Sequence, residues 1–232
     1  MLFCLSIVAQ AEEQPEEKPK DKYKGNVELG YVNTTGNTET QTINAKAKVE
    51  ANYAKWRQTV KLGALNNSDG DTTTAEKYYA SLKTDYRFSQ RNYAFGLIDY
   101  DNDRFSGFNY RTSISLGYGR RVIDETALWL DLEGGPGARF SELDSGESQD
   151  EFMFRLAGNL GWKISETSLS EQELSSDIGE DTTITRSVTA LSAQIIGSLA
   201  MKLAYTLRHT SEVPADIKKT DTETSVTLVY KF

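Results

Sequence analysis

From Lys24 onward the chain alternates apolar and polar residues with a period of two, segment after segment, as far as Phe232. Between Phe152 and Ile164 one side carries Phe152, Phe154, Leu156, Gly158, Leu160, Trp162 and Ile164, and the other carries Met153, Arg155, Ala157, Asn159, Gly161 and Lys163. A helix would scatter those apolar side chains around its axis, whereas a strand separates them onto two faces. Leu199–Leu207 and Thr222–Phe232 repeat the pattern, as do stretches beginning at Ile43, Tyr78 and Tyr110. The alternation predicts twelve strands, at 25–33, 39–52, 57–66, 77–88, 92–100, 109–121, 127–138, 151–164, 168–177, 185–195, 199–210 and 221–232. The ninth is the weakest, because residues 169–178 lack a clean apolar face.

The connections alternate as well. Short ones fall at 54–56, 89–91, 123–126, 165–167 and 196–198, and longer polar ones at 34–38, 67–76, 101–108, 140–150, 178–184 and 211–220. Short turns at one end and long loops at the other are the pattern of a bacterial outer-membrane barrel, and a soluble sandwich has no reason to keep it. Aromatic residues fall in two rows: Tyr53, Trp56, Phe88, Tyr93, Trp129, Trp162 and Phe232 near the short turns, and Tyr31, Tyr78, Tyr100, Phe105, Phe108, Tyr110 and Phe152 near the loops. Membrane interfaces select such rows. The expected fold is therefore all-β, an antiparallel up-and-down transmembrane β-barrel of about twelve strands over residues 24–232. Closure removes the open sheet edges that a bilayer would not tolerate.

Composition narrows the function. A formal charge of −8 argues against nucleic acid as a partner, and one histidine with one cysteine leaves little for a metal cluster or a disulfide. No cofactor is expected. Residues 1–11 read as the end of a signal peptide: Leu2–Val8 is apolar, and Ala9-Gln10-Ala11 supplies small residues before Glu12. The basic n-region is missing, so the true start is expected upstream. Residues 12–23, with mixed charge and two prolines, read as a flexible leader.

Several segments resemble one family. Gly30-Tyr31-Val32-Asn33-Thr34-Thr35-Gly36-Asn37-Thr38-Glu39-Thr40 looks like the opening hairpin of the bacterial salt-induced outer-membrane proteins, also called domain of unknown function 481. Asp103-Arg104-Phe105-Ser106-Gly107-Phe108, Glu133-Gly134-Gly135-Pro136-Gly137 and the closing Lys218-Lys219-Thr220-Asp221-Thr222 with Tyr230-Lys231-Phe232 are similar to its other recurrent segments, in family order. The resemblance implies an outer-membrane barrel ending in an aromatic assembly signal. It implies no mechanism and no catalytic residues. The partners expected are outer-membrane lipids, lipopolysaccharide and the barrel-assembly machinery.

If the apolar face meets lipid, the other face lines the lumen. By parity that face holds Lys46, Lys48, Lys61, Lys83, Arg87, Arg111, Arg155, Lys163, Lys202, Arg208 and Lys231, against Glu50, Asp85, Asp131, Glu133 and Glu223. Such a lumen favours anions, since low-dielectric walls focus the field of fixed charges. Twelve strands enclose a narrow interior, so these side chains either line a small passage or pair and plug it. The function expected is structural or a narrow passive channel for small, anionic solutes, without catalysis and with a link to salt response.

The loop end is acidic, with Asp69, Asp71 and Glu76, then Glu142, Asp144, Glu147, Asp150 and Glu151, then Asp177, Glu180 and Asp181. A solvated rim or divalent-cation bridging to lipopolysaccharide both fit. Asp99, Asp101 and Asp103 begin like a calcium loop, but Arg104 occupies the sharp-turn glycine position and Tyr110 the place of the bidentate glutamate. His209 and Ser211 share a strand face and are the one pair that suits an outer-membrane lipid hydrolase. Gly25, Gly30, Gly63, Gly96, Gly117, Gly119 and Gly158 lie inside strands, where close packing explains them better than phosphate binding. A periplasmic β-protein is the remaining rival; it would have to bury Leu156, Trp162, Leu203 and Leu228 against a second sheet.

Overall fold

The structure, a computed structural model, describes residues 22–34, 40–70, 72–104, 106–214 and 217–232. Among these residues twelve strands run β1 (Tyr23–Thr34), β2 (Thr40–Asn52), β3 (Trp56–Asp69), β4 (Thr72–Arg87), β5 (Asn92–Asp103), β6 (Phe108–Asp124), β7 (Leu128–Leu143), β8 (Ser148–Lys163), β9 (Ser168–Gly179), β10 (Thr183–Ile196), β11 (Leu199–Thr210) and β12 (Thr220–Lys231). Each pairs antiparallel with its sequence neighbours, and β1 pairs with β12, so the sheet closes on itself. The stretch read as a signal peptide, all but the last residues of the stretch read as a leader, residues 35–39, Asp71, Phe105, Ala215 and Asp216 lie outside the described residues.

The period of two maps onto the two faces of the wall. Leu62, Leu82, Leu116, Leu156, Trp162, Leu203 and Leu228 point outward and are exposed, with no second sheet to cover them. That geometry overturns the periplasmic sandwich rival. The inward face is mostly polar and charged. Its apolar part includes a small cluster of Tyr93, Phe95 and Leu97 on β5, with Phe108, Met153 and Val229 buried elsewhere on the wall. Glycines on the neighbouring strands make room for it: a Cβ at Gly119 would overlap the Tyr93 ring, and one at Gly117 the Phe95 ring.

The loops on the side opposite the short turns are shorter than the sequence suggested. β3 and β4 continue to Asp69 and Thr72, β7 and β8 to Leu143 and Ser148, and β9 and β10 to Gly179 and Thr183. Polar residues on both faces there gave no alternation to read, yet the backbone ladder continues, because its hydrogen bonds do not depend on what the side chains face. Gly70, Gly107 and Gly146 take positive φ and close the turns. The nine-residue connection from 211 to 219 is the one that stays long; its Pro214 and Ile217 sit against Gly107 of the β5–β6 turn on the far side of the ring.

Some aromatic positions also differ. Tyr53, Trp56, Phe88, Trp162 and Phe232 are exposed on the outer wall near the short turns, with Trp56 and Tyr86 ring centroids 4.9 Å apart. Tyr93 and Trp129 face inward instead. Gly119 lies under the Tyr93 ring and Gly161 under that of Trp129, and the vacant side of a glycine draws a ring onto it. Phe108 is also buried inside, 4.5 Å from the Arg111 guanidinium.

Candidate functional site

The lumen is the one place where the fold gathers chemistry. Lys46, Lys48, Lys61, Lys83, Arg87, Arg111, Arg155, Lys163, Lys202, Arg208 and Lys231 all lie at inward positions of the register. The acids are more numerous than the five read from the sequence. Glu28, Asp99, Asp101, Asp103, Glu151, Glu173 and Asp177 also face in and hold these cations. Arg57, Lys77, Arg121, Arg139 and Arg186 join the basic side. Eleven basic against five acidic positions is thereby corrected to sixteen against twelve, a lumen that is still basic but largely ion-paired.

Three tiers of contacts follow from the strand register. At the short-turn end Arg57 donates to Asp85 at 2.6 Å, Lys83 bridges Asp85 and Glu133, and Tyr93 donates to Glu133 at 2.7 Å. Asp85 is fully buried, and its Oδ1 lies 3.3 Å from Lys83 Nζ without hydrogen-bond geometry. Arg121 forms a two-pronged pair with Asp131, both contacts at 2.8 Å. Arg87 is inward too, but bonds the Asn52 amide oxygen.

The middle tier crosses the lumen. Lys61 on β3 reaches Glu173 on β9 at 2.9 Å, and these strands are six apart around a ring of twelve. Arg186 on β10 stands over the ring of Tyr79 on β4, again six strands away, at 5.3 Å. Arg155 pairs with Asp177 at 2.8 Å, and Tyr79 donates to Asp99 at 3.1 Å. Lys202 meets Glu28, and Lys46 meets Glu223, at 2.9 and 3.1 Å.

The third tier lies below the far rim. Arg208 on β11 reaches across to Asp101 on β5 at 2.9 Å, a third contact between opposite walls. Arg139 pairs with Glu151 at 2.7 Å, and Glu151 accepts the backbone N–H groups of Asp181 and Thr182 at 3.0 and 3.1 Å. Glu151 and Asp177 therefore belong to the lumen and not to an acidic rim. The supposed calcium start resolves the same way: Asp99, Asp101 and Asp103 are alternate residues of one strand, all turned inward onto cations. Among the described residues no group of three or more His, Cys, Asp or Glu is arranged to hold a metal ion.

The His209 and Ser211 pair is not assembled. His209 Nδ1 lies 2.8 Å from Thr220 Oγ1, while Ser211 Oγ accepts the backbone N–H of Thr183 at 2.9 Å. The hydroxyl and the imidazole thus serve different strands.

Comparison with known proteins agrees with this architecture. The chain is 27% identical over 212 residues to the uncharacterized protein YdiY of Escherichia coli (strain K12), covering 91% of this chain and 84% of that protein. Among solved structures it is similar to the NanC porin, with a TM-score of 0.55 at 10% identity, covering 89% of this chain and 98% of the porin. It also matches a KdgM porin with a TM-score of 0.47 at 11% identity, covering 89% and 99%. The NanC likeness concerns the fold: a closed, porin-like β-barrel. The family model described as "Protein of unknown function, DUF481" matches residues 27–232, and the chain belongs to that family.

Proposed function

We propose that the protein resides in the bacterial outer membrane, delivered by a signal peptide that ends at residue 11, and acts there as a narrow barrel for small solutes without catalysis. The observation that carries this reading is the pair of ion bridges between opposite walls, Lys61 with Glu173 and Arg208 with Asp101. They leave no wide bore. A solute that passes must be small, and must exchange for one partner of a bridge as it goes. Anions are the preferred class, because the bridges present guanidinium and ammonium groups that a mobile anion takes over from a fixed carboxylate. Screening weakens the water-exposed part of such bridges as salt rises, and on this reading that is how the barrel responds to salt. Outer-membrane lipids, lipopolysaccharide and the barrel-assembly machinery are the partners of this reading, and the exposed apolar outer wall supports the first of them.

Planar-bilayer conductance of the refolded barrel under a salt gradient tests it. Wild type should show small openings with anion preference, and Lys61→Ala with Glu173→Ala should enlarge them severalfold. Large wild-type openings, or a double variant with unchanged conductance, would overturn the proposal.

A further inference from the structure

The third tier of the lumen concentrates arginine in a way that pairing alone does not account for. One carboxylate oxygen, Asp101 Oδ1, lies 2.9 Å from Arg208 and 3.8 Å from Arg111, so two guanidiniums share a single acceptor. Arg111 is only 6% exposed and, among the described residues, has no closer carboxylate and no hydrogen bond at its Nε. Arg186 stands directly opposite Arg208 in the β10–β11 register at the border of the middle tier, where its guanidinium lies over the Tyr79 ring, and it forms no ion pair among the described residues. Arg139, 2% exposed, is a diagonal neighbour of Arg111 across the β6–β7 ladder and leaves one terminal nitrogen without a partner. The other acids of this tier are engaged: Asp103 holds Lys77 at 2.8 Å, and Glu151 holds Arg139 and two backbone N–H groups. Asp221 faces Arg208 in the β11–β12 register but is exposed.

Like charges at directly opposed and diagonal positions destabilise a sheet, and a buried guanidinium with idle N–H groups carries a further desolvation cost. A group that supplies several acceptor oxygens and negative charge would relieve both. We infer that Arg111, Arg186 and Arg208 form a binding site for a small soluble oxyanion of the sulfate, phosphate or carboxylate class. The planar guanidinium fork suits such anions, since two parallel N–H groups meet two oxygens. The site opens to the lumen, on the opposite side of the wall from lipid, so the ligand is a free ion and not a headgroup. Binding competes with Asp101: the anion takes Arg111 and Arg208, and the bridge between opposite walls loosens as the site fills.

Isothermal titration of the full-length barrel in detergent with sodium sulfate, against sodium chloride at matched ionic strength, tests the site. Heat-modifiable gel mobility certifies that each variant is folded. Saturable sulfate binding is expected, weakened at least tenfold in Arg111→Gln and in Arg208→Gln, partly restored in Arg208→Lys, and unchanged in Lys55→Gln on a short turn. Asp101→Asn removes the competitor and should tighten binding severalfold. Sulfate heats equal to those of chloride, undiminished affinity in folded Arg111→Gln, or weaker binding in folded Asp101→Asn would each overturn the inference. Calorimetry reads binding without current. A silent barrel that binds sulfate defeats the passage proposal and leaves the site standing; a conducting barrel indifferent to sulfate does the reverse.

Discussion

Removing the carboxylate of Glu28 should weaken the barrel at its seam. The described register between β1 and β12 runs only from Asn26 opposite Lys231 to Leu29 opposite Leu228, whereas β1 and β2 are paired from Tyr23 to Thr34. Phe232 and Gly25 add two reciprocal backbone bonds of 2.8 and 3.0 Å. Two ion pairs then reach over this seam from inside, Lys202 on β11 with Glu28 on β1, and Lys46 on β2 with Glu223 on β12. Glu28 is 6% exposed and accepts from both Asn26 and Lys202 at 2.9 Å. Truncating one member of a buried pair costs about 3–5 kcal/mol, because the other charge stays behind uncompensated. Lys202 keeps 20% of its side chain exposed, so the lower end applies, about 3 kcal/mol for Glu28→Gln. The pair of Lys24 with Glu50 at the short-turn mouth supplies the contrast: Lys24 is 61% exposed, so the charge left behind stays in water, and Glu50→Gln should cost under about 1 kcal/mol. Urea unfolding of the refolded barrel, followed by the fluorescence of its three tryptophans and by gel mobility, reads both. Adding Lys202→Met to Glu28→Gln should recover most of the loss, since no uncompensated charge is then left on the inner wall. The reasoning fails if Glu28→Gln falls within about 1 kcal/mol of wild type, or if the double variant is no better than the single.

Two further substitutions probe the same wall. Gly119→Val would drive a side chain into the Tyr93 ring and strain the Glu133 hydrogen bond, an overpacking cost of about 1–3 kcal/mol. Gly158→Val, whose added Cβ meets only the end of Leu132 at 3.3 Å, should lose clearly less in the same urea titration. His209→Ala and Ser211→Ala should leave phospholipid hydrolysis at the wild-type background, because the two groups bond different strands; activity in wild type that His209→Ala abolishes would contradict the geometry.

What the sequence made legible was set by which surroundings constrain alternate residues. Lipid demands an apolar side chain at every second position, so strands such as β11 and β12 could be read to within a residue. β9 was faint for a reason the structure supplies. Its outward Gln172 and Ser176 bond Ser187, Thr189 and Thr185 of β10, so a polar ladder on the outer wall replaces the apolar one. Beyond the apolar band of the outer wall both faces of the strand are polar, nothing enforces alternation, and the ends of β3, β4 and β7 passed for loop. The interior was only half legible. Parity alone, applied to Asp99, Asp101 and Asp103 or to Glu173 and Asp177, would have turned these acids inward; their resemblance to a metal loop and the weakness of β9 hid them. Pairs on adjacent strands, such as Arg57 with Asp85 and Arg155 with Asp177, follow from hairpin register, but the pairs that cross the lumen were not legible. Lys61 and Glu173 are separated by 112 residues and share no strand neighbour, and they meet only because closure sets β3 across from β9. A sequence states the charge of a barrel wall position by position, whereas the choice between a charged pore and a bridged one depends on a distance across the ring. That distance is set by strand number and tilt, which the alternation of side chains does not encode.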